Sequence, residues 1–320
     1  MKRWATFLLF LWLLKGGNFT TYLIKLEEFR MMPVACVLSQ KIYVLYPYFS
    51  KVIIYNLSGK KLKEFGRKGE GPGEFYGPYD MQCINGRIYI SDTKNRISVF
   101  DPDGNFERSI KIKSFLAGPA IIIGSSVFYL KGVIEKNVQK TILVKADRHK
   151  EVSLEEFEEG VPLREMVFPM VFPAIVYLND SLVYVDKIKG QVKIFNEKGE
   201  MVKEFQIGLS PKKVTKEWIK NFKKSHSFFF KKDKRINYKV RFRKTLPVVD
   251  RVFSDGKEKI ILEEYFTSPS VFHIFNSSGK RIKVLKIEKP LLTVSGDYWI
   301  FLRIKEDSRF LELVNYRLLN

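Results

Sequence analysis

Cysteine and histidine are nearly missing from this chain of 320 residues, which has two Cys and three His. Two cysteines cannot build a disulfide framework, and no Cys or His spacing matches a zinc site. Cys36 and Cys83 read as buried free thiols, with pairing open to them only in an oxidising compartment. His149, His226 and His273 stand far apart, with no grouping of Ser, Cys or carboxylate that would make a hydrolytic triad. His273 interrupts an apolar strand and reads as a core or edge residue, while the other two read as solvated. Acidic residues are also scarce: 35 Asp and Glu face 56 Lys and Arg, a formal charge of +21. Such an excess implies attraction to something anionic: nucleic acid, acidic polysaccharide or a membrane surface. Long apolar runs are lacking except from Trp4 to Leu14, which follows Lys2-Arg3 and is broken only by Thr6. That run is too short for a comfortable membrane span and matches the charged and apolar regions of a secretory signal. Residues 1–17 are therefore expected to be a signal peptide or an N-terminal anchor, although Lys15-Gly16-Gly17-Asn18 carries no A-x-A cleavage pattern. Residues 18–320 are left as one domain. With 45% hydrophobic and 14% aromatic residues, that domain has ample material for a core.

What is present is a repeat. Residues 66–112 contain a glycine-rich connector (Gly66, Gly69, Gly71, Gly73), then Pro78, a turn at Asn85-Gly86, an alternating strand Ile88–Ile90, and a second strand Ile97–Phe100. The turn Asp101-Pro102-Asp103-Gly104 follows, then a last strand. Short strands separated by Asn-Gly and Asp-Gly turns mark a meander of antiparallel hairpins. The unit recurs, with glycine turns at Ser58-Gly59, Lys198-Gly199 and Ser278-Gly279. A degenerate copy at 125–154 has Arg148-His149 at the turn, and another runs over 296–319. The second strands of the six copies begin near Ile42, Ile88, Val127, Leu182, Ile260 and Tyr298. Each is preceded by an apolar stretch: Val34–Leu38, Tyr79–Ile84, Ala120–Ile123, Ala174–Leu178, Val248–Phe253 and Leu291–Val294. A four-stranded unit of about 40 residues is the size of a propeller blade, and a lone blade cannot cover both of its faces. The sequence thus predicts an all-β, six-bladed β-propeller of four-stranded antiparallel blades. The strand at 20–29 is expected to complete the last blade, which would remove an open sheet edge.

Between blades four and five the spacing lengthens, and residues 211–244 are read as an insertion. A helix is expected from about Thr215 to Ser225, after Pro211, followed by a basic arm. The insertion holds fourteen Lys and Arg against Glu217 and Asp233, more than half of the excess charge.

On the connector Gly66–Phe75, Pro78, Gly86–Asp92 and Phe100–Gly104, the chain resembles NHL-repeat proteins within the TolB-like group of six-bladed propellers. Blade two carries that pattern almost fully, blades one, four and five in part, and blades three and six hardly at all. The resemblance implies the fold over about 40–320. It does not imply an activity, because such propellers serve as platforms for protein, RNA or sugar and less often as enzymes.

Candidate sites follow. The glycine connector lacks the Gly-Lys-Ser/Thr ending and the helix of a phosphate loop, so it reads as a tight inter-blade turn. Asp80 and Asp250 occupy equivalent places on the inner strands of blades two and five and are central-channel candidates. Lactonases of this fold hold calcium in the channel, but two carboxylates alone cannot make such a site. The corresponding residues elsewhere are Val34, Pro119 and Ala174, so the plainer reading is local hydrogen bonding. Asp92, Asp101, Asp103 and Asp186 sit at strand ends and turns and read as structural. Lys212, Lys213, Lys216, Lys220, Lys223, Lys224, Lys231, Lys232 and Arg235 are the candidates for holding an anionic partner. Trp218, Phe222, Phe228–Phe230 and Tyr238 are interleaved with them. That mixture suits nucleic acid or an anionic membrane, and it equally suits a helix packed by its aromatics with its lysines in water. Export would make nucleic acid an improbable partner.

Two functions lead, with cytoplasmic RNA binding a third that requires the N-terminal apolar stretch not to be a signal. One is a non-catalytic binding module, exported or envelope-associated (periplasmic, secreted or membrane-anchored), presenting one face to a protein or an anionic glycan or lipid. The other is a metal-dependent hydrolase or lyase of lactonase or esterase type. No cofactor is expected for the first, and calcium belongs to the second.

Overall fold

The computed structural model describes residues 21–27, 31–112, 116–147, 150–227, 239–265, 267–305 and 308–315. In chain order β1 is Thr21–Lys25. Strands β2 to β5 are Val34–Leu38, Lys41–Tyr46, Lys51–Asn56 and Lys61–Phe65. Strands β6 to β9 are Pro78–Ile84, Arg87–Asp92, Arg96–Phe100 and Phe106–Lys111. Strands β10 to β13 are Leu116–Ile123, Ser126–Glu135, Val138–Ala146 and Glu151–Pro162, with β14 at Glu165–Phe168. Strands β15 to β18 are Ala174–Leu178, Ser181–Asp186, Gln191–Phe195 and Met201–Gln206. The helix α1 is Lys216–Ser225, and β19 is Lys239–Phe242. Strands β20 to β23 are Val249–Ser254, Lys259–Glu264, Ser270–Asn276 and Arg281–Ile287. Last come β24 Leu291–Ser295, β25 Tyr298–Lys305 and β26 Ser308–Asn315.

These strands make six four-stranded antiparallel sheets, the blades of a six-bladed propeller. Five are meanders in sequence order; the sixth runs β1-β26-β25-β24, with Thr21 opposite Val314 and Lys25 opposite Phe310. The chain divides into two compact units, residues 1–94, 98–110 and 289–320 in one, and 95–97 and 111–288 in the other. Each holds three blades.

Alternation explains how the first unit packs. Every residue of β3 after Lys41 is buried, so the strand must be covered on both faces. Ile42, Val44 and Tyr46 join Ile24, Ile300, Leu311 and Leu313 of the sixth blade in one cluster. Tyr43 and Leu45 point the other way, to Met81, Ile88 and Ile90 of the second. Successive side chains of one strand thus serve two neighbouring sheets. In the second unit, Val183 and Val185 of β16 meet Val249, Ile260, Leu262 and Phe275 in the same manner.

The recurring turn is built on an Asx residue. The side-chain Oδ1 atoms of Asn56, Asn196 and Asn276 accept from the backbone N–H of Lys60, Glu200 and Lys280 at 2.9, 3.0 and 2.9 Å. Asp101 Oδ1 does the same for Asp103 and Asn105. The glycine three residues on lies against the outer strand of the preceding blade. At Gly104, where φ is +75°, an added Cβ would lie 2.6 Å from the Phe65 ring, so only glycine allows both the backbone and the contact.

Three expectations need correction. Cys36 and Cys83 are not free thiols: they form a disulfide linking β2 and β6, the inner strands of adjacent blades. Asp103 does not cap its own turn but pairs with Lys41 Nζ at 2.7 Å. The segment after the helix is not simply an arm, because its last part, β19, pairs in parallel with β14 from Glu165↔Lys239 to Phe168↔Phe242. The degenerate third blade has the longest strands, with β11, β12 and β13 of 10, 9 and 12 residues; Arg148 and His149 lie outside the described residues.

Candidate functional site

The basic insertion is anchored at both ends. Val214 N–H donates to Lys244 O at 3.0 Å and Leu246 N–H to Lys212 O at 2.8 Å, an antiparallel clamp that closes the excursion. The helix begins where Thr215 Oγ1 accepts from Trp218 N–H at 3.1 Å, with Glu217 in the first turn and Lys223 and Lys224 in the last. Both charge placements complement the helix dipole. Its apolar face is already occupied. Trp218 stacks on Phe222 with centroids 4.8 Å apart, Phe222 lies 5.3 Å from Phe168, and Trp218 meets Phe242 edge-on. His226, exposed as expected, stacks on Phe222 at 4.1 Å. Beneath them Arg243 is buried and donates from Nε to Pro169 O at 2.9 Å; burial pulls its pKa down.

The opposite face is cationic. Lys216, Lys220 and Lys224 follow one another at i, i+4 and i+8 and are exposed, as is Lys213, while the Lys223 ammonium lies over the Phe242 ring, 5.6 Å from its centroid. On a helix that spacing makes a stripe about 12 Å long. Lys216, Lys220 and Lys224 form no ion pair with any described carboxylate. Lys212 is committed elsewhere, to Glu264 Oε1 at 2.9 Å, and Lys239 and Arg241 turn to Glu165. Lys231, Lys232, Arg235, Phe228–Phe230 and Tyr238 lie outside the described residues.

Asp80 and Asp250 lie on inner strands of different units. Asp80 of β6 accepts from Gln82 Nε2 at 2.7 Å, and burial pushes its carboxyl above the usual range. Asp250 sits in a bulge of β20, where the register steps from Val249↔Glu264 to Val252↔Leu262. Burial raises its pKa, Lys187 opposes the rise, and Glu263 adds to it. Among the described residues no three His, Cys, Asp or Glu come together in a way that could hold a metal ion. Within the glycine connector, Glu74 fills the space a phosphate would take, accepting from Gly71 N–H at 2.9 Å and Arg67 Nε at 2.7 Å.

Sequence reasoning passed over four polar residues. They are Arg251, Asp255, Glu263 and Lys187. In the fold Asp255 accepts from the N–H groups of Lys257, Glu258 and Lys259. Glu263 is buried and takes Arg251 Nε at 2.5 Å. The only signal in the sequence was the doublet Asp250-Arg251 inside an apolar inner strand.

A family model described as "6-bladed beta-propeller" matches residues 28–117. Among solved structures, the chain is similar to a candidate exported protein from Bacteroides fragilis, with 11% identity, a TM-score of 0.58, and 93% of this chain and 94% of that one covered. It is also similar to a duf4221 family member from Bacteroides vulgatus, with 10% identity, a TM-score of 0.55, and coverage of 93% and 97%. At such identities the likeness concerns the fold. No curated protein matches the sequence.

Proposed function

We propose that this protein is an exported, non-catalytic propeller of the NHL-repeat, TolB-like kind whose basic insertion holds an acidic glycan. The observation that carries the reading is the two-sided helix α1. Its aromatic face is spent on Phe168 and Phe242, so the Trp218 and Phe222 rings are turned to the protein rather than to a lipid layer or to bases. Its lysine face projects into solvent, with Lys216, Lys220 and Lys224 unmatched by any described carboxylate. A rigid row of ammonium groups suits a polymer that repeats carboxylate or sulfate at similar intervals.

Export is supported by the Cys36–Cys83 disulfide, which persists in oxidising compartments. The apolar segment after Lys2-Arg3 agrees with it, as does the description of the Bacteroides fragilis structure as a candidate exported protein. The hydrolase or lyase reading draws no comparable support, because Asp80 is turned to Gln82 and Asp250 to a cluster containing cations.

The test is retention on immobilised polygalacturonate and on vesicles with and without anionic lipid, across a salt series. The chain should bind the polyuronate in 50 mM salt and release as salt rises, with uncharged dextran inert. The variant Lys216→Glu/Lys220→Glu should lose at least tenfold in affinity while its circular dichroism and melting stay unchanged. No binding by the wild type, or equal binding by the variant, would overturn the proposal. Binding confined to anionic vesicles would make lipid the partner instead.

A further inference from the structure

One end of the first unit carries a surface that the lysine stripe of α1 does not account for. In an antiparallel meander, the link between second and third strands and the link from the fourth strand to the next blade lie at the same end. All but two of the large apolar side chains that this unit exposes belong to such links or to the strand ends beside them. They are Met31, Met32, Tyr48, Phe49, Tyr76 and Ile304, each between 41 and 65% exposed. The other two, Leu23 and Leu62, lie on outer strands. The turns at the opposite end of these three blades, such as Ser58-Gly59, Asn85-Gly86 and Gly296-Asp297, expose no large apolar side chain among the described residues.

Contacts join the six residues into one surface. Ile304 lies opposite Arg309, whose carbonyl accepts from Leu26 N–H at 2.8 Å. Glu27 N–H then donates to the Tyr46 hydroxyl at 3.2 Å. Tyr46 leads into a 3-10 turn, Pro47–Phe49, where Tyr48 and Phe49 meet edge to face with centroids 5.1 Å apart. Val34 pairs with Leu45, so Met31 and Met32, just ahead of it, arrive beside the same turn. The turn rests against β6, whose first residue follows Tyr76 by two. Tyr76 is fixed in place. Its N–H donates to Asp92 Oδ2 at 3.2 Å, its carbonyl accepts from Thr93 Oγ1 at 2.6 Å, and Lys94 Nζ stands 4.5 Å from its ring centroid.

Charge identifies the occupant. Cations bordering the rings are already matched: Lys51 to Glu27 at 2.7 Å, Lys94 to Glu70 at 2.9 Å and Arg67 to Glu74 at 2.7 Å. An acidic partner would find these cations taken, unlike Lys216 and Lys220 of α1. A copy of the same end, turned by a two-fold rotation, brings matching numbers of both signs. We propose that this end of the first unit is a self-association surface, on which a second copy of the chain packs about a two-fold axis. Aromatic and methionine side chains fill its middle, and the bordering ion pairs exchange partners across the rim. That is the anatomy of a protein–protein interface. The formal charge of +21 opposes pairing, so two copies meet where cations are neutralised. Exposed ion pairs contribute little, and the association is weak, with a Kd of about 1–100 µM.

The test is sedimentation velocity of the full chain at about 1 to 100 µM, in about 50 and about 500 mM sodium chloride. The wild type should pass from monomer to dimer over that range, more readily in the higher salt, because screening relieves the repulsion between two basic chains. Glycan binding by α1 runs the opposite way with salt, so the two surfaces are told apart. Tyr48→Glu/Phe49→Glu, checked for folding by circular dichroism, should raise the dimer Kd at least about tenfold. Leu62→Glu, on an outer strand of the same unit, should dimerise like the wild type. A wild type that stays monomeric at every concentration and salt would overturn the proposal. So would dimers that survive Tyr48→Glu/Phe49→Glu, including any held by the apolar run Trp4–Leu14. A monomer that floats with phosphatidylcholine vesicles, and ceases to in that variant, would make a bilayer the occupant and overturn it as well.

Discussion

Removing the Cys36–Cys83 bond should cost about 4 kcal/mol of unfolding free energy. The bond joins residues separated by 47 positions. Closing a loop of that length takes about 14 cal/mol/K of entropy from the unfolded chain, or about 4 kcal/mol at 25 °C. Alanine at both positions is the right change. Cys36 is 4% exposed, in a cluster with Tyr43, Leu45, Ile54 and Met81, so serine would bury a hydroxyl and add about 1–3 kcal/mol of its own. If about 300 residues unfold together, the unfolding entropy is about 0.6 kcal/mol/K, and the midpoint should fall by about 6 °C. The assay compares oxidised wild type, wild type in dithiothreitol, and Cys36→Ala/Cys83→Ala, by circular dichroism in heat and in guanidinium. The reduced protein and the double variant should agree within about 1 kcal/mol, both below the oxidised form. A non-reducing peptide map showing two free thiols would refute the pairing itself. A demonstrated bond whose loss shifts stability by less than about 0.5 kcal/mol would refute the loop-entropy argument.

Other outcomes follow from the same geometry. Asp80→Asn should stabilise the protein at pH 7 relative to wild type. Its folded-state pKa is raised by burial, so the acid form favours folding below about pH 4, and that advantage is lost as pH rises through the raised pKa. The two proteins should therefore converge below about pH 4, and denaturant titrations at several pH values read this; a difference that widens toward acid would refute it. Gly104→Ala should cost about 1–3 kcal/mol, from positive φ and the approach to Phe65, measured as a shift in the guanidinium midpoint. Trp218→Ala should undock α1, so that trypsin cuts within 212–224 at least tenfold faster while the blades' unfolding midpoint is nearly unchanged. Thr215→Ala should produce a milder form of the same effect, about 1 kcal/mol from the lost cap.

Much of the fold is legible because its signals are local. The middle strands of the six blades begin at or within one residue of Ile42, Ile88, Val127, Leu182, Ile260 and Tyr298, since alternation is a property of neighbouring residues. The turns at Asn56, Asp101, Asn196 and Asn276 are legible for the same reason, because each Asx side chain reaches only four residues. The helix start is written in Thr215 and Trp218. The site is much less legible. The lysine row of α1 can be read from its spacing, yet spacing does not tell that Phe222 packs on Phe168, more than fifty residues earlier, or that Trp218 meets Phe242.

The sequence by itself determined the blade count, the blade length, the Asx-glycine turns and the position and charge of the helical insertion. Only the tertiary structure decided that Cys36 meets Cys83, that β14 pairs with β19 across 74 residues, and that Arg251 occupies the buried Glu263. The division has a physical cause. Periodicity and turn chemistry act over a few residues of backbone. A disulfide, a parallel ladder or a buried ion pair depends on which distant segments the packed sheets bring side by side, and on how much water remains between them.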